Sequence, residues 1–232
     1  MRAVWPRREP EARERMDDPN CDPAALRNTY AQFQFVNAAI SGWRRVYDRE
    51  LRPPLREGPR TLLDIGCGGG DVPLSLARWA RRDGLHLSVT AIDTDPRAIA
   101  YARGRPHFPN VEFRRASSRD LLAEGRRFDF VISNHVLHHL SESELLDLLD
   151  DSARLARLKV IHADIERNGL AYALFSVFTL PFFHRSYIRQ DGLTSIRRSF
   201  THAELSAAAP PGWEARRMVP FRNLLVYEPA GI

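Results

Sequence analysis

Short apolar runs alternate with amphipathic stretches from about residue 59 to the end of the chain. Each run has the length and composition of a strand, and most stretches between the runs carry apolar residues at helical spacing. We expect seven strands, at residues 61–65, 87–92, 111–115, 128–133, 159–164, 216–219 and 224–228. Strands that alternate with helices are typical of a parallel sheet. The pattern therefore predicts an α/β fold with a doubly wound, mostly parallel seven-stranded sheet.

The start of the chain lies outside this alternation. Residues 1–20 are charged, contain proline and have no apolar period, so we expect a flexible charged arm. Residues 21–58 are expected to form an N-terminal helical lid, because Asp22 can cap a helix, Pro23 suits its first turn and apolar residues recur on one face. A second lid helix is predicted over 43–51, ending before two consecutive prolines.

A segment between the fifth strand and the last helix, residues 165–199, is predicted to be a helical insertion. Its first part is aromatic and aliphatic, and its second part is polar and basic. An aromatic helix at the carboxyl edge of a parallel sheet is suited to form the wall of an apolar substrate site. Two alternatives stay open: a segment that only covers the core, and a segment that forms a dimer interface.

A chain of 232 residues can bury one core, and residues 59–232 are expected to form a single domain. The two cysteines, Cys21 and Cys67, provide no disulfide framework, and the first residues are charged instead of apolar. Both features indicate a cytoplasmic protein. The longest apolar run, residues 170–183, is too short to span a bilayer but is compatible with transient membrane contact.

The formal net charge is +5, and the basic residues are almost all arginine. Arginine suits phosphate, so nucleic acid has to be considered as a partner. The arginines are scattered in pairs among acidic residues, however, and no basic stripe is interleaved with aromatic residues. A solvated surface is therefore favoured, and nucleic acid is disfavoured as a substrate.

The first predicted strand runs into the most informative motif of the chain. Asp64 is followed by three glycines at alternate positions, Gly66, Gly68 and Gly70. Glycines suit a turn at which the backbone passes close to a ligand. A dinucleotide site would need a glycine where Asp71 stands, and a phosphate-binding loop would end in Gly-Lys-Ser/Thr. The loop and its preceding carboxylate fit a cationic nucleoside without phosphate instead.

This motif resembles motif I of the class I S-adenosylmethionine (SAM)-dependent methyltransferases, Asp-x-Gly-x-Gly-x-Gly. Asp93 ends the second strand, at the position of the carboxylate that holds the ribose hydroxyls in that family. Residues 128–134 look like the strand 4 motif of the family. The resemblance covers roughly residues 60–165 and the last two strands. It implies a Rossmann-like methyltransferase fold that closes with a C-terminal antiparallel hairpin.

The resemblance also implies a cofactor, S-adenosyl-L-methionine, with S-adenosyl-L-homocysteine as the product. The cofactor-binding residues that it implies are Asp64, Gly66, Cys67, Gly68, Gly70, Asp93, Thr94, Ser117, Ser118, Asn134 and His135. One departure concerns the adenine. After strand 3 the family often has Gly-Asp-Ala, whose Asp accepts from the adenine amino group, whereas this chain has Ala116-Ser117-Ser118. Ser117 can accept one hydrogen bond there, more weakly than a carboxylate.

The candidate catalytic residues are His138 and His139, after the fourth strand, and Asp164, at the end of the fifth. A phenolic acceptor has a pKa of about 10, so a base assists the loss of its proton at neutral pH. An Asp–His pair orients the imidazole and stabilises its charge. The Leu-His-His-Leu run with the strand 5 Asp resembles small-molecule O-methyltransferases, in which a His of that pair serves as base. The alternative is that these histidines only cap a helix and pack.

The side chains expected to contact the substrate come from the lid and from the insertion. The segment 30–45 resembles the lead-in helix of the ubiquinone/menaquinone C-methyltransferases, which implies a phenolic or quinone-like substrate. The expected substrate-binding residues are Tyr30, Phe33, Asn37, Phe175, Phe178, Phe182 and His184. We find no spacing typical of metal ligands and expect no metal.

The sequence thus predicts SAM-dependent methylation of a small, largely apolar hydroxylated aromatic of natural-product or lipid-like type, with O-methylation favoured. Deprotonating a phenol activates its oxygen and its ortho carbon alike, so C-methylation stays open. A nucleic-acid or protein methyltransferase would need a continuous Arg-lined groove. A non-catalytic SAM-binding protein would have a blocked site. Both a monomer and a homodimer are compatible with the sequence.

Overall fold

The computed structural model describes residues 7–180, 183 and 185–229. Its seven strands are Arg60–Ile65 (β1), Leu87–Asp93 (β2), Val111–Arg115 (β3), Phe128–Asn134 (β4), Ala156–Ile165 (β5), Trp213–Met218 (β6) and Arg222–Tyr227 (β7). They form one sheet in the order β3-β2-β1-β4-β5-β7-β6. Strands β1 to β5 are parallel, whereas β7 is antiparallel to β5 and to β6. The predicted doubly wound sheet with a C-terminal antiparallel hairpin is confirmed.

Helices precede the sheet, connect its strands and form the insertion after β5. In the described part of the chain they are Pro23–Ile40 (α1), Trp43–Val46 (α2), Arg52–Leu55 (α3), Asp71–Arg82 (α4), Pro96–Arg103 (α5), Ser118–Ala123 (α6), Glu142–Leu155 (α7), Gly169–Phe178 (α8), Ile188–Arg198 (α9) and His202–Ala208 (α10). Short 3₁₀ turns lie at Arg15–Asp17 and Leu137–His139. Within the described residues, no helix combines the length and the apolar character needed to cross a bilayer.

The core contains two large apolar clusters, one on each face of the sheet, and two smaller clusters near α1 and α5. Successive side chains of a strand point to opposite faces, so Leu62 lies in one cluster and Leu63 in the other. The first cluster holds residues of α2 and α4, and the second holds residues of α7 and α10. Burial on both faces explains why the central strands are almost continuously apolar.

Two local differences from the expected elements have simple causes. The second lid helix does not end before the prolines: a π-helical turn at Tyr47–Leu51 leads into α3, where Pro53 occupies the first turn. Proline is tolerated there because the first N–H groups of a helix have no intrahelical acceptor. The short helix α6 was not expected, although Ser117 and Asp120 form a capping box at its start.

The N-terminal segment differs most from its expectation. Residues 8–18, which we call the N-terminal strap, pack against α9 and the 3₁₀ turn at Leu137–His139. The Arg8 guanidinium donates to the Arg198 carbonyl at 2.5 Å and to the His138 carbonyl at 3.1 Å, and the Glu9 N–H donates to the Arg197 carbonyl at 3.1 Å. Hydrogen bonds hold the strap in place of an apolar face, which is why the hydrophobic pattern indicated a loose arm.

Candidate active site

A cleft of about 370 Å³ opens at the carboxyl ends of β1, β2 and β4. Its floor is the glycine loop between β1 and α4, and its walls come from α1, α9, the 3₁₀ turn after β4 and the N-terminal strap. In an open parallel sheet, ligands usually bind at this edge, at the point where the strand order reverses. Here that point lies between β1 and β4.

The glycine loop has the geometry of a close backbone approach. Gly68 has φ 51°, and a Cβ at this position would meet no atom within 4 Å, so its backbone faces open space in the cleft. Gly70 serves a different purpose. It caps α4 with φ 76°, and a Cβ there would lie 2.7 Å from the Phe113 ring. Gly68 therefore leaves room for a ligand, whereas Gly70 is required by packing and does not line the cleft.

Asp93 ends β2 beside this loop and braces it. Its Oδ2 accepts from the Gly68 N–H at 2.9 Å, and its Oδ1 accepts from the Asp95 N–H at 2.9 Å. Burial raises the pKa of Asp93 above its usual value, against these two hydrogen bonds. Each carboxylate oxygen has further acceptor capacity. Asp93 is therefore able to accept hydrogen bonds from a pair of ligand hydroxyls.

Two more carboxyl groups lie beneath the loop. Asp64 is 1% exposed, and its Oδ1 has no hydrogen-bond partner among the described residues. Asp71 accepts from the Asn37 amide at 2.8 Å. Burial raises the pKa of Asp64 well above its usual range, and the nearby Asp71 and Asp93 carboxyls add to the shift. A cation in the cleft would reverse this effect, so the floor fits a positively charged ligand.

A buried arginine of β7 holds the residues at the end of β4. The Arg222 guanidinium, 2% exposed, donates to Asn134 Oδ1 at 2.6 Å and to His135 Nε2 at 2.7 Å. Because His135 Nε2 accepts this bond, Nδ1 carries the proton of a neutral imidazole. Burial and the Arg222 charge hold the pKa of His135 well below its usual range. His135 therefore offers the cleft an N–H donor and not a base.

The predicted pair of His138 and Asp164 is present, but the imidazole has a second carboxylate partner. His138 Nδ1 lies 2.8 Å from Asp164 Oδ1, and its Nε2 lies 3.2 Å from Glu14 Oε1 of the strap. Burial disfavours a charge on His138, but the Asp164 and Glu14 carboxylates outweigh it and raise its pKa to about 9. The bond to His138 also lowers the pKa of Glu14 to about 2, against the effect of burial. With both nitrogens engaged, His138 is not a free base, contrary to the simplest expectation from the sequence.

His139 stands next to His138 and is more accessible. Its Nδ1 lies 3.3 Å from Asp17 Oδ2 and its Nε2 lies 3.8 Å from Glu14 Oε1, while 29% of its side chain is exposed. The two imidazole centroids are 4.3 Å apart. The 3₁₀ turn at Leu137–His139 is what directs both rings toward the strap.

The structure brings most of the predicted site residues into one cleft. Those that line it are Tyr30, Phe33, Asn37, Asp64, Gly66, Cys67, Gly68, Asp93, Thr94, Asn134, His135, His138, His139 and Phe175. Asp164 lies behind His138 and reaches the cleft only through that ring. Phe182 and His184 lie outside the described residues.

Besides Gly70 and Asp164, three predicted residues do not contact the cleft. Ser117 is committed to the capping box of α6, where its hydroxyl donates to Asp120 at 2.8 Å. The Ser118 hydroxyl donates to Asp151 at 2.6 Å, on the side toward α7. Phe178 is 68% exposed at the last position of α8, three residues after Phe175, and does not line the cleft. An adenine contact through Ser117 or Ser118, and a substrate contact through Phe178, are therefore not supported by this geometry.

Several residues of the cleft were missed from the sequence. They are Glu14, Met16 and Asp17 of the strap, Asp95 after β2, and Ile188, Asp191, Gly192 and Ser195 of α9. Arg222 was also missed, although a lone charged residue at the start of an apolar strand is a signal that could have pointed to it. The strap residues carried no such signal, because they meet His138 and His139 across more than a hundred residues of sequence.

Comparison with known proteins identifies the central part of the chain. A family model described as methyltransferase domain matches residues 62–160. A ubiquinone biosynthesis O-methyltransferase of Cereibacter sphaeroides is 36% identical over 98 residues, which are 41% of this chain and 37% of that protein. A ubiquinone/menaquinone biosynthesis C-methyltransferase of Rhodopseudomonas palustris is 28% identical over 162 residues, 65% of this chain and 64% of that protein. The chain thus spans about a third of the length of the first relative and less than two thirds of the second.

Solved structures agree with the fold. Human N-acetylserotonin methyltransferase in complex with SAM superposes with a TM-score of 0.61 at 14% identity, over 91% of this chain and 57% of that one. A plantazolicin methyltransferase in complex with S-adenosylhomocysteine gives a TM-score of 0.60 at 12% identity, over 92% of both chains. At such identities the likeness is one of fold. With the family model and the relatives, it shows that this chain is similar to class I SAM-dependent methyltransferases.

Proposed function

We propose that this protein transfers the methyl group of SAM to the hydroxyl oxygen of a small, largely apolar hydroxylated aromatic. The observation that carries the proposal is that a glycine loop braced by Asp93 and the histidine pair His138–His139 open into the same cleft. A methyl donor and a hydroxyl acceptor must lie in line, with water excluded, for the displacement to proceed. A single enclosed cleft that binds both the donor and the acceptor allows this alignment and keeps water out.

The cofactor is held by the loop side of the cleft. Asp93 accepts the ribose hydroxyls, and the Gly68 backbone leaves space for the nucleoside. The buried carboxyls of Asp64 and Asp71 face the cationic end of the ligand, which supplies the methyl group when bound. Asn134 and the His135 N–H, both fixed by Arg222, are positioned to orient that end.

The acceptor lies on the opposite side, against apolar side chains. Phe33 and Phe175 line this part of the cleft together with Val36 and Ile40 of α1, whereas Tyr30 packs on the glycine loop, where a Cβ on Gly69 would lie 3.1 Å from it. Aromatic walls with a few polar groups suit a flat, largely apolar ring that carries hydroxyls. The O- and C-methyltransferases of ubiquinone biosynthesis among the relatives support a substrate of this class.

The carboxylate–histidine cluster lies where the acceptor hydroxyl must lose its proton. His138 has carboxylates on both nitrogens, so it contributes position and charge, and His139 is the more accessible imidazole. A phenolate is a far better nucleophile than a phenol with a pKa of about 10. The cluster assists the reaction by favouring the deprotonated acceptor.

Methylation at carbon is the second candidate. It is favoured by the C-methyltransferase relative, whose alignment covers more of this chain than that of the O-methyltransferase. The same phenolate serves both reactions, because deprotonation activates the oxygen and the ortho carbon. NMR of the methylated product separates them directly.

The test is methyl transfer from radiolabelled SAM to a panel of mono- and dihydroxylated aromatics, with alkylated members. Replacing His139 by Ala is expected to lower turnover by about 10²–10⁴ on the best acceptor while leaving S-adenosylhomocysteine binding intact. His86→Ala, which changes an exposed histidine outside the cleft, is the matched control. The loss should shrink at high pH, where the phenol ionises unaided. If no hydroxylated aromatic accepts methyl, or if the two variants retain equal turnover, the proposal fails.

A further inference from the structure

We propose that Glu14, His138 and His139 form a binding site for one divalent transition-metal ion of the zinc class. The three side chains bring a carboxylate oxygen and two imidazole nitrogens within 4.8 Å of one another. None of the sequence spacings indicates this site, because the strap supplies one ligand and the 3₁₀ turn after β4 supplies the other two.

The distances match a common ligand shell. Glu14 Oε1 lies 3.2 Å from His138 Nε2 and 3.8 Å from His139 Nε2. Ligands that are each about 2.1 Å from a tetrahedral zinc ion are about 3.4 Å from one another. All three ligand atoms lie within 4.8 Å of one another, so they must approach one another by at most about 1.4 Å to hold a cation. On binding, it takes the place of the proton shared between His138 and Glu14.

Each proposed ligand has an outer partner that fixes its orientation. His138 turns Nδ1 to Asp164 at 2.8 Å, and His139 turns Nδ1 to Asp17 at 3.3 Å. In both rings Nε2 is therefore the nitrogen left for the ion. Carboxylates behind ligating histidines are typical of metal sites, where they set the tautomer and the ring direction. Two independent carboxylate–histidine pairs that converge on one carboxylate are difficult to explain as surface ion pairing.

The carboxylate ligand is similarly supported, and the surrounding charge favours a cation. The Ser195 hydroxyl donates to Glu14 Oε1 at 2.8 Å, and Glu14 is 5% exposed. Four carboxylates surround the site, those of Glu14, Asp17, Asp164 and Asp191, and they outnumber the three nearby arginines, Arg8, Arg198 and Arg222. Three protein ligands of the His₂Glu type leave a fourth position open, as in catalytic zinc sites.

The open position faces the cleft that we assign to the methyl acceptor, so this part of the inference rests on the proposed function. An acceptor hydroxyl bound to the ion has a lowered pKa, because the cation stabilises the alkoxide or phenolate oxygen. Its O–H bond breaks, the proton leaves to solvent, and the oxygen bonds to the transferred methyl carbon as the sulfur–carbon bond breaks. An aromatic with two adjacent hydroxyls would suit such a site best, since both oxygens can coordinate.

The test uses the full chain, freed of metal with a chelator and titrated with Co²⁺ without SAM. We expect visible d–d absorption that saturates at one Co²⁺ per chain. His139→Ala and Asp17→Asn should weaken binding at least about tenfold. Both side chains are partly exposed, so these variants should fold, and thermal unfolding checks this. His86→Ala, outside the cleft, should bind Co²⁺ like the wild type.

Absence of a saturable band, or equal Co²⁺ affinity in the His139 and His86 variants, would overturn the metal site. Methyl transfer by chelator-treated and by Zn²⁺-reconstituted protein separates the two proposals. Co²⁺ binding with no transfer to any hydroxylated aromatic leaves the metal site standing and refutes the proposed function. Undiminished transfer by metal-free protein refutes a role for the ion in the reaction, while the proposed function stands.

Discussion

At the scale of single residues, the site depends on polar groups whose partners lie far apart in sequence. Asp93 is the simplest of them, because one carboxylate braces the loop backbone and keeps acceptor capacity for the ligand. The single guanidinium of Arg222 fixes the side chains of both Asn134 and His135. Both roles follow from the number of donors and acceptors on one side chain.

Asp93→Ala is expected to weaken binding of SAM and of S-adenosylhomocysteine by about 1–3 kcal/mol, the scale of hydrogen bonds to a charged group. The loss combines the ribose contacts with the loosened Gly68 backbone. Calorimetric titration measures it, and Glu112→Ala on exposed surface of β3 serves as the control. Equal affinities in the two variants would contradict the assignment of Asp93.

Arg222→Lys is expected to lower the free energy of unfolding by about 1.5–3 kcal/mol, because an ammonium cannot reproduce the fork and one buried acceptor loses its charged partner. Urea unfolding measures the loss. The matched control is Arg216→Lys on neighbouring β6, whose partner Glu214 is largely exposed, so its loss should stay below about 1 kcal/mol. Similar losses in both variants would argue against a structural role for the guanidinium fork.

At the scale of elements, α8 contributes Phe175 to the cleft, whereas Phe178 at its carboxyl end lies on the surface. Phe175 lines the cleft and packs so closely on α9 that a Cβ on Gly192 would lie 2.5 Å from its ring. Phe178 follows by less than one turn, yet it is 68% exposed. The two aromatic residues of one helix thus form a natural comparison.

Phe175→Ser is expected to raise the KM for the acceptor by about tenfold, because it removes an apolar wall of the cleft. SAM affinity should change little, since the cofactor lies against the loop on the other side. Phe178→Ser is the control and should leave both constants unchanged. Steady-state kinetics with varied acceptor concentration checks this. A larger increase in KM for Phe178→Ser than for Phe175→Ser would indicate that the acceptor binds on the surface of α8 and not in the cleft.

At the scale of the whole molecule, the N-terminal strap joins the start of the chain to the insertion across the mouth of the cleft. Asp191 of α9 anchors it by accepting from the N–H groups of Arg15 and Met16 at 2.8 and 3.0 Å. Burial raises the pKa of Asp191 from 3.8 to about 6, against these two hydrogen bonds. The stability of the contact between the strap and α9 therefore depends on pH.

Because the native state holds the Asp191 proton more tightly than the unfolded state does, this group favours the native state most at low pH. Its contribution should fall by about 1–3 kcal/mol as the pH rises from about 4 through about 6. The measurement is the free energy of unfolding of wild type minus that of Asp191→Asn, by urea at several pH values. Asp150→Asn on exposed α7 should give a difference that is flat over this range. A wild-type difference that is flat or rises with pH would refute the buried-carboxyl account.

The sequence determined the sheet, the glycine loop and the side of the molecule that carries the site. Apolar runs bury strands such as β1 and β4 on both faces, and period and length are local properties that a sequence displays directly. The same holds for Asp93 and for the histidine pair, which must lie at the carboxyl edge because their strands end there.

Only the tertiary structure decided which groups meet across the cleft. Glu14 reaches His138 from a strap without apolar period, Arg222 reaches Asn134 from the antiparallel strand, and Ser117 is taken up by a helix cap instead of the cleft. Hydrogen bonds and ion pairs between distant segments leave no periodic trace in the chain. Their geometry appears only once the apolar core has fixed the segments that carry them.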